Sequence, residues 1–261
     1  MTIFFEQHGS GNDIVLIHGW GMNGHVWQPI IDVMARHYRV TVIDFPGHGR
    51  SRDYSGSYSL RTVAEQIAQV APPQATWVGW SLGGIVSMEA ALAWPDAVKG
   101  LVLVGTTPKF VQSTDWQDGM PPELLNSFSG DLSSNYKQTL TRFLSLQLGD
   151  DREFRQIAKV LRQQIFQYDA PDQKALLGGL KLLKESDLRA RLIQITQPSL
   201  VVHGDRDRVV PEGAARYLAD KIPDSGLQIF SGVGHIPFLA QPKKFMSHVD
   251  EFFQTRVMAN V

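Results

Sequence analysis

Apolar residues fall along the chain in two alternating patterns. Short unbroken runs occur at "DIVLIHG" (13–19), "YRVTVIDF" (38–45), "ATWVGW" (75–80), "VKGLVLVG" (98–105) and "QPSLVVHG" (197–204). Continuous Val/Ile/Leu runs of this length predict strands of a parallel sheet covered on both faces. Between them, "VWQPIIDVMARH" (26–37), "SLRTVAEQIAQVA" (59–71) and "SLGGIVSMEAALAWP" (81–95) show helical spacing, and a proline stops the last of them. Strands alternating with helices predict βαβ units. The rhythm breaks after residue 108. "NYKQTLTRFLSLQLG", "EFRQIAKVLRQQIF" and "DQKALLGGLKLLKES" all read as helices, and residues 109–190 hold almost no strand-like run. The alternation resumes at 197–211 and continues through "GLQIFSGVGH" and "KKFMSHVDEFF". The final strands have no sheet of their own, so the expected architecture is one α/β core, residues 1–108 and 191–261, interrupted by a helical insertion at 109–190.

Composition narrows the function. The 261 residues are 43% hydrophobic and 20% charged with a net charge of −1, ordinary values for a globular protein. No global field favours nucleic acid. With no cysteine, thiolate catalysis, disulfides and Cys-type zinc sites are excluded, and a reducing cytoplasm is the compatible compartment. The opening "MTIFFEQHGSGND" does not read as a secretory signal, and no apolar stretch approaches the roughly 20 residues of a membrane helix.

One pentapeptide carries candidate chemistry. Gly79-Trp80-Ser81-Leu82-Gly83 fits G-x-S-x-G, with an apolar strand before it and a helix directly after. In that context Ser81 is a candidate nucleophile on a sharp turn, and the helix N-terminus offers N–H groups to developing negative charge. The alternative is a plain helix N-cap. A serine hydroxyl needs a base. Of eight histidines, His235 lies in "SGVGHIPF" after the last strand, on the sheet edge where a nucleophile turn would sit. His203 ends an apolar strand and reads as packed or hydrogen-bonded there. "HGDRDRVVP" offers Asp205 and Asp207 to orient the base, and spacing does not separate them.

The order Ser81…Asp207…His235, together with "HG" at 18–19, resembles the α/β-hydrolase superfamily over essentially the whole chain. The family's acid loop, G-x-x-D-x-x-x-P, matches Gly204…Asp207…Pro211, which implies Asp207 as the acid. The resemblance implies an oxyanion site at the N–H groups of Trp20 and Leu82, with His18 bracing that loop. "DFPGHGRS" (44–51) matches a family loop in which Asp44 and His48 are structural. No cofactor or metal is implied.

Within the superfamily, "LIHGWGMNGHVW", "GWSLGGIVS", "RFLSLQ" and "LLGGLKLLKESDLR" resemble the esterase family of biotin synthesis that removes a methyl group from a pimeloyl chain on a small acidic acyl-carrier protein. This implies substrate contacts at Trp20, Ser81, Leu82, Phe143, Leu144, Ser145, Leu146, Gln147 and His235. It implies carrier contacts at Arg142, Arg155 and Lys159, and a monomeric, cytoplasmic enzyme. Gln138 stands where that family has a basic residue, with Lys137 beside it. Arg152, Arg155, Lys159 and Arg162 share one helical face by spacing, a basic rim suited to an acidic partner. A solvated helix face is the plainer reading of such a run. Three rivals remain: a broad short-chain carboxylesterase, a carbon–carbon bond hydrolase of the same fold, and a non-enzymatic small-molecule receptor.

Overall fold

The computed structural model describes residues 2–52, 54–132, 135–148, 159, 161–163, 166, 168 and 171–258. Seven strands form one sheet: β1 (Phe5–His8), β2 (Asn12–Ile17), β3 (Tyr38–Ile43), β4 (Ala75–Trp80), β5 (Val98–Val104), β6 (Ser199–Gly204) and β7 (Ser225–Phe230). Their spatial order is β1-β3-β2-β4-β5-β6-β7. All neighbours run parallel except β1, which pairs antiparallel with β3. Every residue of β4 and β6 is buried, as a strand covered on both faces requires. β1 lies outside the sequence expectation. Its four residues, FEQH, only alternate between exposed and half-buried at the sheet edge, so no apolar run announces it.

The helices described with both ends are α1 (Gln28–Met34), α2 (Leu60–Ala68), α3 (Leu82–Ala93), α4 (Pro122–Leu132), α5 (Tyr136–Leu148), α6 (Gln173–Glu185), α7 (Glu212–Lys221), α8 (Pro237–Ala240) and α9 (Pro242–Phe252). Local chemistry sets several of their starts. The Ser59 hydroxyl accepts from Thr62 N–H at 3.1 Å to cap α2. The Asp172 carboxylate accepts from Lys174 N–H at 2.7 Å to cap α6. The periodic segment 26–37 resolves into a 3-10 turn at Gly24–Trp27 and then α1, with Pro29 in its first turn. Helix α3 is buried on nearly every side, packed on β4 and β5 and along α2. The chain leaves the sheet at Val104 and returns at Ser199 on the neighbouring strand, with α4, α5 and α6 between.

Strand order decides where a site can form. From β2 the chain crosses to β3 on one side and then returns to β4 on the other. At such a reversal the loops after the two central strands diverge and leave a crevice. The register pairs Ile17 with Gly79 and Val104 with Trp80. The residues immediately after β2, β4 and β5 therefore emerge side by side.

A buried carboxylate ties the loops of this edge together. Asp44 follows β3 and is fully buried. It accepts from Gly24 N–H at 2.6 Å, Arg50 N–H at 2.9 Å and Arg50 Nε at 2.8 Å. Burial alone would raise its pKa. The Arg50 hydrogen bonds and charge outweigh that and hold the carboxyl below its ordinary value of 3.8. A depressed folded-state pKa gives stability that is present above the unfolded value and lost as pH falls through the folded one. Replacing Asp44 by Asn removes the buried carboxylate that Arg50 pairs with and leaves the half-buried guanidinium with Glu6 as its one remaining ion pair among the described residues. Urea denaturation at pH 7 is expected to show Asp44→Asn less stable by about 3–5 kcal/mol. That gap is expected to begin narrowing as the pH falls below about 4, where the unfolded carboxyl protonates, and to close only at the lower pH where the folded carboxyl protonates.

Candidate active site

Ser81 stands between β4 and α3 with φ +56° and ψ −117°. A residue with a β-carbon is strained there by about 1–3 kcal/mol. Its hydroxyl makes no capping bond to α3, so the plain N-cap reading of Ser81 does not hold. Both ends of the residue are pinned from the β5 side. Ser81 N–H donates to Val104 O at 2.9 Å, and the Thr106 hydroxyl donates to Ser81 O at 2.7 Å. The two motif glycines have a steric reason. A β-carbon on Gly79 would lie 2.5 Å from Gly83 O, and one on Gly83 would lie 2.4 Å from Ile17 O. Only bare backbone lets the helix turn back this tightly and touch the end of β2.

Asp207 and His235 are brought together by the loops after β6 and β7. His235 Nδ1 lies 2.7 Å from Asp207 Oδ2, with both side chains fully buried. Asp207 Oδ1 accepts from the N–H groups of Val209 and Val210 at 2.8 and 2.9 Å. Asp205 instead is exposed and accepts from Gly232 N–H. Burial pushes the Asp207 pKa up. The charge and hydrogen bond of His235, with His203 and the Val210 N–H, outweigh it and keep the carboxyl below its usual value. Asp207 is therefore ionised at neutral pH and can hold the His235 Nδ1 proton. Trp80 Nε1 donates to His235 O at 3.0 Å, and Gly105, at φ +50°, leaves room for that carbonyl. His203 is fully buried and donates from Nε2 to Val210 O at 2.9 Å, the hydrogen-bonded strand position expected for it.

With Nδ1 engaged, His235 presents Nε2 as a buried atom with no hydrogen-bond partner. Among the described residues no hydrogen bond joins it to Ser81, though Gly105 lies against His235 and Thr106 holds Ser81. Such catalytic bonds are often long until substrate closes them. The arrangement offers an oriented imidazole acceptor beside a strained serine at a helix N-terminus, the equipment for nucleophilic acyl transfer.

The loop after β2 faces the same crevice. Gly19 lies against Ser81, where a β-carbon on the glycine would meet Ser81 Cβ at 3.3 Å. His18 is fully buried. Phe45 N–H donates to its Nε2 at 2.9 Å, which leaves Nδ1 to donate to Gly19 O at 2.8 Å. Burial drives its pKa down to about 3, so His18 is neutral and braces the loop. Trp20 is buried, its indole N–H donates to Leu176 O on α6 at 2.9 Å, and its ring meets Phe143 of α5 edge-on at 5.1 Å.

Phe143 and Leu144 are buried, whereas Ser145 is exposed and donates back to Thr141 O at 2.9 Å within α5. The side-chain roles expected of Leu146 and Gln147 lie outside the described residues, as do Arg152 and Arg155. Lys159 and Arg142 are exposed, and the Arg142 guanidinium stands 5.2 Å from the Phe128 ring centre. Gln138 and Lys137 are exposed on α5, and Gln138 Oε1 accepts from Asn135. Nothing in the sequence singles out Thr106 or the Trp80 indole. A threonine after a strand and the variable position of a pentapeptide carry no spacing signal, and both act on backbone carbonyls that only the fold brings near.

A family model described as the alpha/beta hydrolase fold matches residues 13–242. A Yersinia pseudotuberculosis protein named pimeloyl-[acyl-carrier protein] methyl ester esterase is 41% identical over 251 residues, 96% of either chain. A protein of that name from Photobacterium profundum is 40% identical over 253 residues, 97% of this chain and 99% of its own. Among solved structures, an esterase from Exiguobacterium antarcticum aligns with a TM-score of 0.88 at 25% identity, over 97% of this chain and 96% of that one. The chain belongs to the α/β-hydrolase family and, within it, to the family of the Yersinia and Photobacterium esterases.

Proposed function

We propose that this protein is a serine carboxylesterase that hydrolyses the methyl ester of a pimeloyl chain carried on acyl-carrier protein, releasing methanol. The observation that carries the substrate assignment is the 41% identity to an esterase of that name over 96% of both chains. The geometry supports the chemistry independently. Ser81 Oγ attacks the ester carbonyl and gives its proton to His235 Nε2. The imidazolium is stabilised through Nδ1–H on the Asp207 carboxylate. Negative charge on the former carbonyl oxygen is taken by the N–H groups of Trp20 and Leu82. Protonated His235 then delivers its proton to the methoxy oxygen, methanol leaves, and Ser81 is left acylated. Water, deprotonated by His235, attacks the acyl carbon. Collapse of that second tetrahedral species frees the carboxylate and returns the proton to Ser81.

In this reading residues 109–190 form a lid over the sheet edge. Support comes from Trp20, which is clasped by Leu176 and Phe143, and from Gly21, where a β-carbon would lie 2.4 Å from Leu140. The acyl chain runs past Trp20, Phe143 and Leu144, and the acidic carrier docks on the exposed cations Arg142 and Lys159 of the lid, with Arg155 of the same basic run as a further contact. Enzyme and carrier meet in the cytoplasm, with the esterase acting as a monomer. No helix among the described residues is long and apolar enough to cross a membrane.

Two measurements test this reading. Methanol release from the carrier-bound methyl ester is expected to fall about 10⁶-fold in Ser81→Ala and about 10⁴-fold in Asp207→Asn, where the imidazole loses its tautomer lock. Full activity in Ser81→Ala overturns the nucleophile. Charge reversal of Arg142 and Lys159 together is expected to slow hydrolysis of the carrier-bound ester at low salt, while leaving the free methyl ester unaffected. The difference is expected to fade as added salt screens the pair. Equal rates for the double variant and wild type on carrier-bound ester at low salt would instead favour a broad carboxylesterase without a carrier partner.

A further inference from the structure

Each proposed oxyanion donor is one end of a peptide whose other end is gripped by a side chain. In a planar trans peptide the C=O of one residue and the N–H of the next point in opposite directions. A bond that fixes the carbonyl therefore aims the amide. The Leu82 N–H shares its peptide with Ser81 C=O, which accepts from the Thr106 hydroxyl at 2.7 Å. The Trp20 N–H shares its peptide with Gly19 C=O, which accepts from His18 Nδ1 at 2.8 Å. We propose that Thr106 and His18 are positioning residues that aim and strengthen the two oxyanion donors by clamping the carbonyls behind them. The inference rests on the nucleophile and oxyanion assignments made above.

Two further observations and one general principle support it. First, neither clamp is free to let go. A fully buried Thr106 lies against Gly84, where a β-carbon would sit 2.6 Å from the Thr106 Oγ1, Cβ and Cγ2. That contact gives Gly84, the third glycine of "VGWSLGG" and the one outside the pentapeptide, a purpose: it lets the hydroxyl reach Ser81 O. His18 cannot change tautomer, because Phe45 N–H already occupies Nε2. Second, the clamps add to bonds that hold each peptide less tightly. Ser81 O also accepts from Gly84 N–H at 3.0 Å and Ile85 N–H at 3.4 Å, and Gly19 O accepts from Met22 N–H at 3.3 Å. Third, hydrogen bonds in series polarise one another by roughly 10–30% per bond, so a donor on the carbonyl makes the amide at the far end a stronger donor. The effect counts most when charge develops on the substrate oxygen, which makes it a transition-state effect rather than a binding one.

The test compares Thr106→Val, which keeps the shape and deletes the hydroxyl, with Thr106→Ser, which keeps the hydroxyl. Both are assayed on 4-nitrophenyl butanoate and titrated with an alkyl trifluoromethyl ketone, which adds to a nucleophilic serine and places an oxyanion where the substrate would. Removing an oxyanion donor outright costs about 100- to 1,000-fold, and misaiming one costs less. Thr106→Val is expected to lower kcat about 10- to 30-fold with KM within about 2-fold, and to weaken the ketone by a matching factor. Thr106→Ser is expected to recover kcat and ketone affinity to within about 3-fold of wild type. Any of these results overturns the proposal: unchanged kcat in Thr106→Val, a loss that Thr106→Ser shares, or a fall in kcat with ketone affinity intact. Melting temperatures of both variants separate a folding defect from the aimed effect, because destabilisation without a change in the ketone-to-substrate ratio is the structural outcome and also overturns it. Ser81→Ala runs alongside. If it retains activity, the underlying nucleophile assignment falls. If it is inactive while Thr106→Val matches wild type, only the clamp falls.

Discussion

Contact between bare backbones at Gly83 underlies the arrangement of the candidate site. The first turn of the helix after Ser81 presses against the carbonyls ending β2, so closely that a single β-carbon would lie 2.4 Å from Ile17 O. That contact places the serine turn beside the His18-Gly19-Trp20 loop and makes the two proposed oxyanion amides neighbours. It also forces Ser81 into a backbone conformation that L-residues avoid. The strain is held by bonds on either side of the residue, one to Val104 and one from Thr106. Sheet topology, through the reversal at β2 and β4, brings these segments to one edge before any side chain contributes.

Burial then divides the titratable groups into two kinds of work. His18, His48 and His203 are fully buried, and desolvation depresses the pKa of each, so they act as neutral hydrogen-bonding groups. Asp44 and Asp207 are buried too, but each has a cationic or N–H-rich partner that keeps it ionised. One carboxylate joins loops; the other holds the proton of an imidazole. Both side chains are fully buried, and what separates their roles is the partner. Asp44 faces the permanently charged Arg50, whereas Asp207 faces His235, a group able to take up and release a proton.

Much of this was legible in the sequence where the signal is local or periodic. The parallel strands announce themselves as apolar runs because both faces are buried, and Ser81 because a tight strand–turn–helix needs small neighbours at Gly79 and Gly83. The acid was ambiguous by spacing, since Asp205 and Asp207 leave the same strand end; the Asp207–His235 bond depends on a loop path that two-residue spacing cannot encode. β1 went unread because an edge strand of four residues has no apolar run. Thr106 and the Trp80 indole went unread because their partners are carbonyls distant in sequence, Ser81 and His235. Backbone acceptors leave no trace in residue identity.

The departure of the chain from the sheet at Val104 and its return at Ser199 on the adjacent strand has a consequence for how this enzyme can change over time. Closing a loop costs entropy that grows only with the logarithm of its length, about 0.6 kcal/mol for each doubling. The β5–β6 pairing is therefore nearly indifferent to what is spliced between its strands. Helices there can be lengthened, exchanged or recharged while the residues that carry the proposed chemistry keep their places on the sheet edge. On the proposed reading, in which the insertion meets the acyl chain and its carrier, selectivity and reactivity can then evolve at different speeds in one chain.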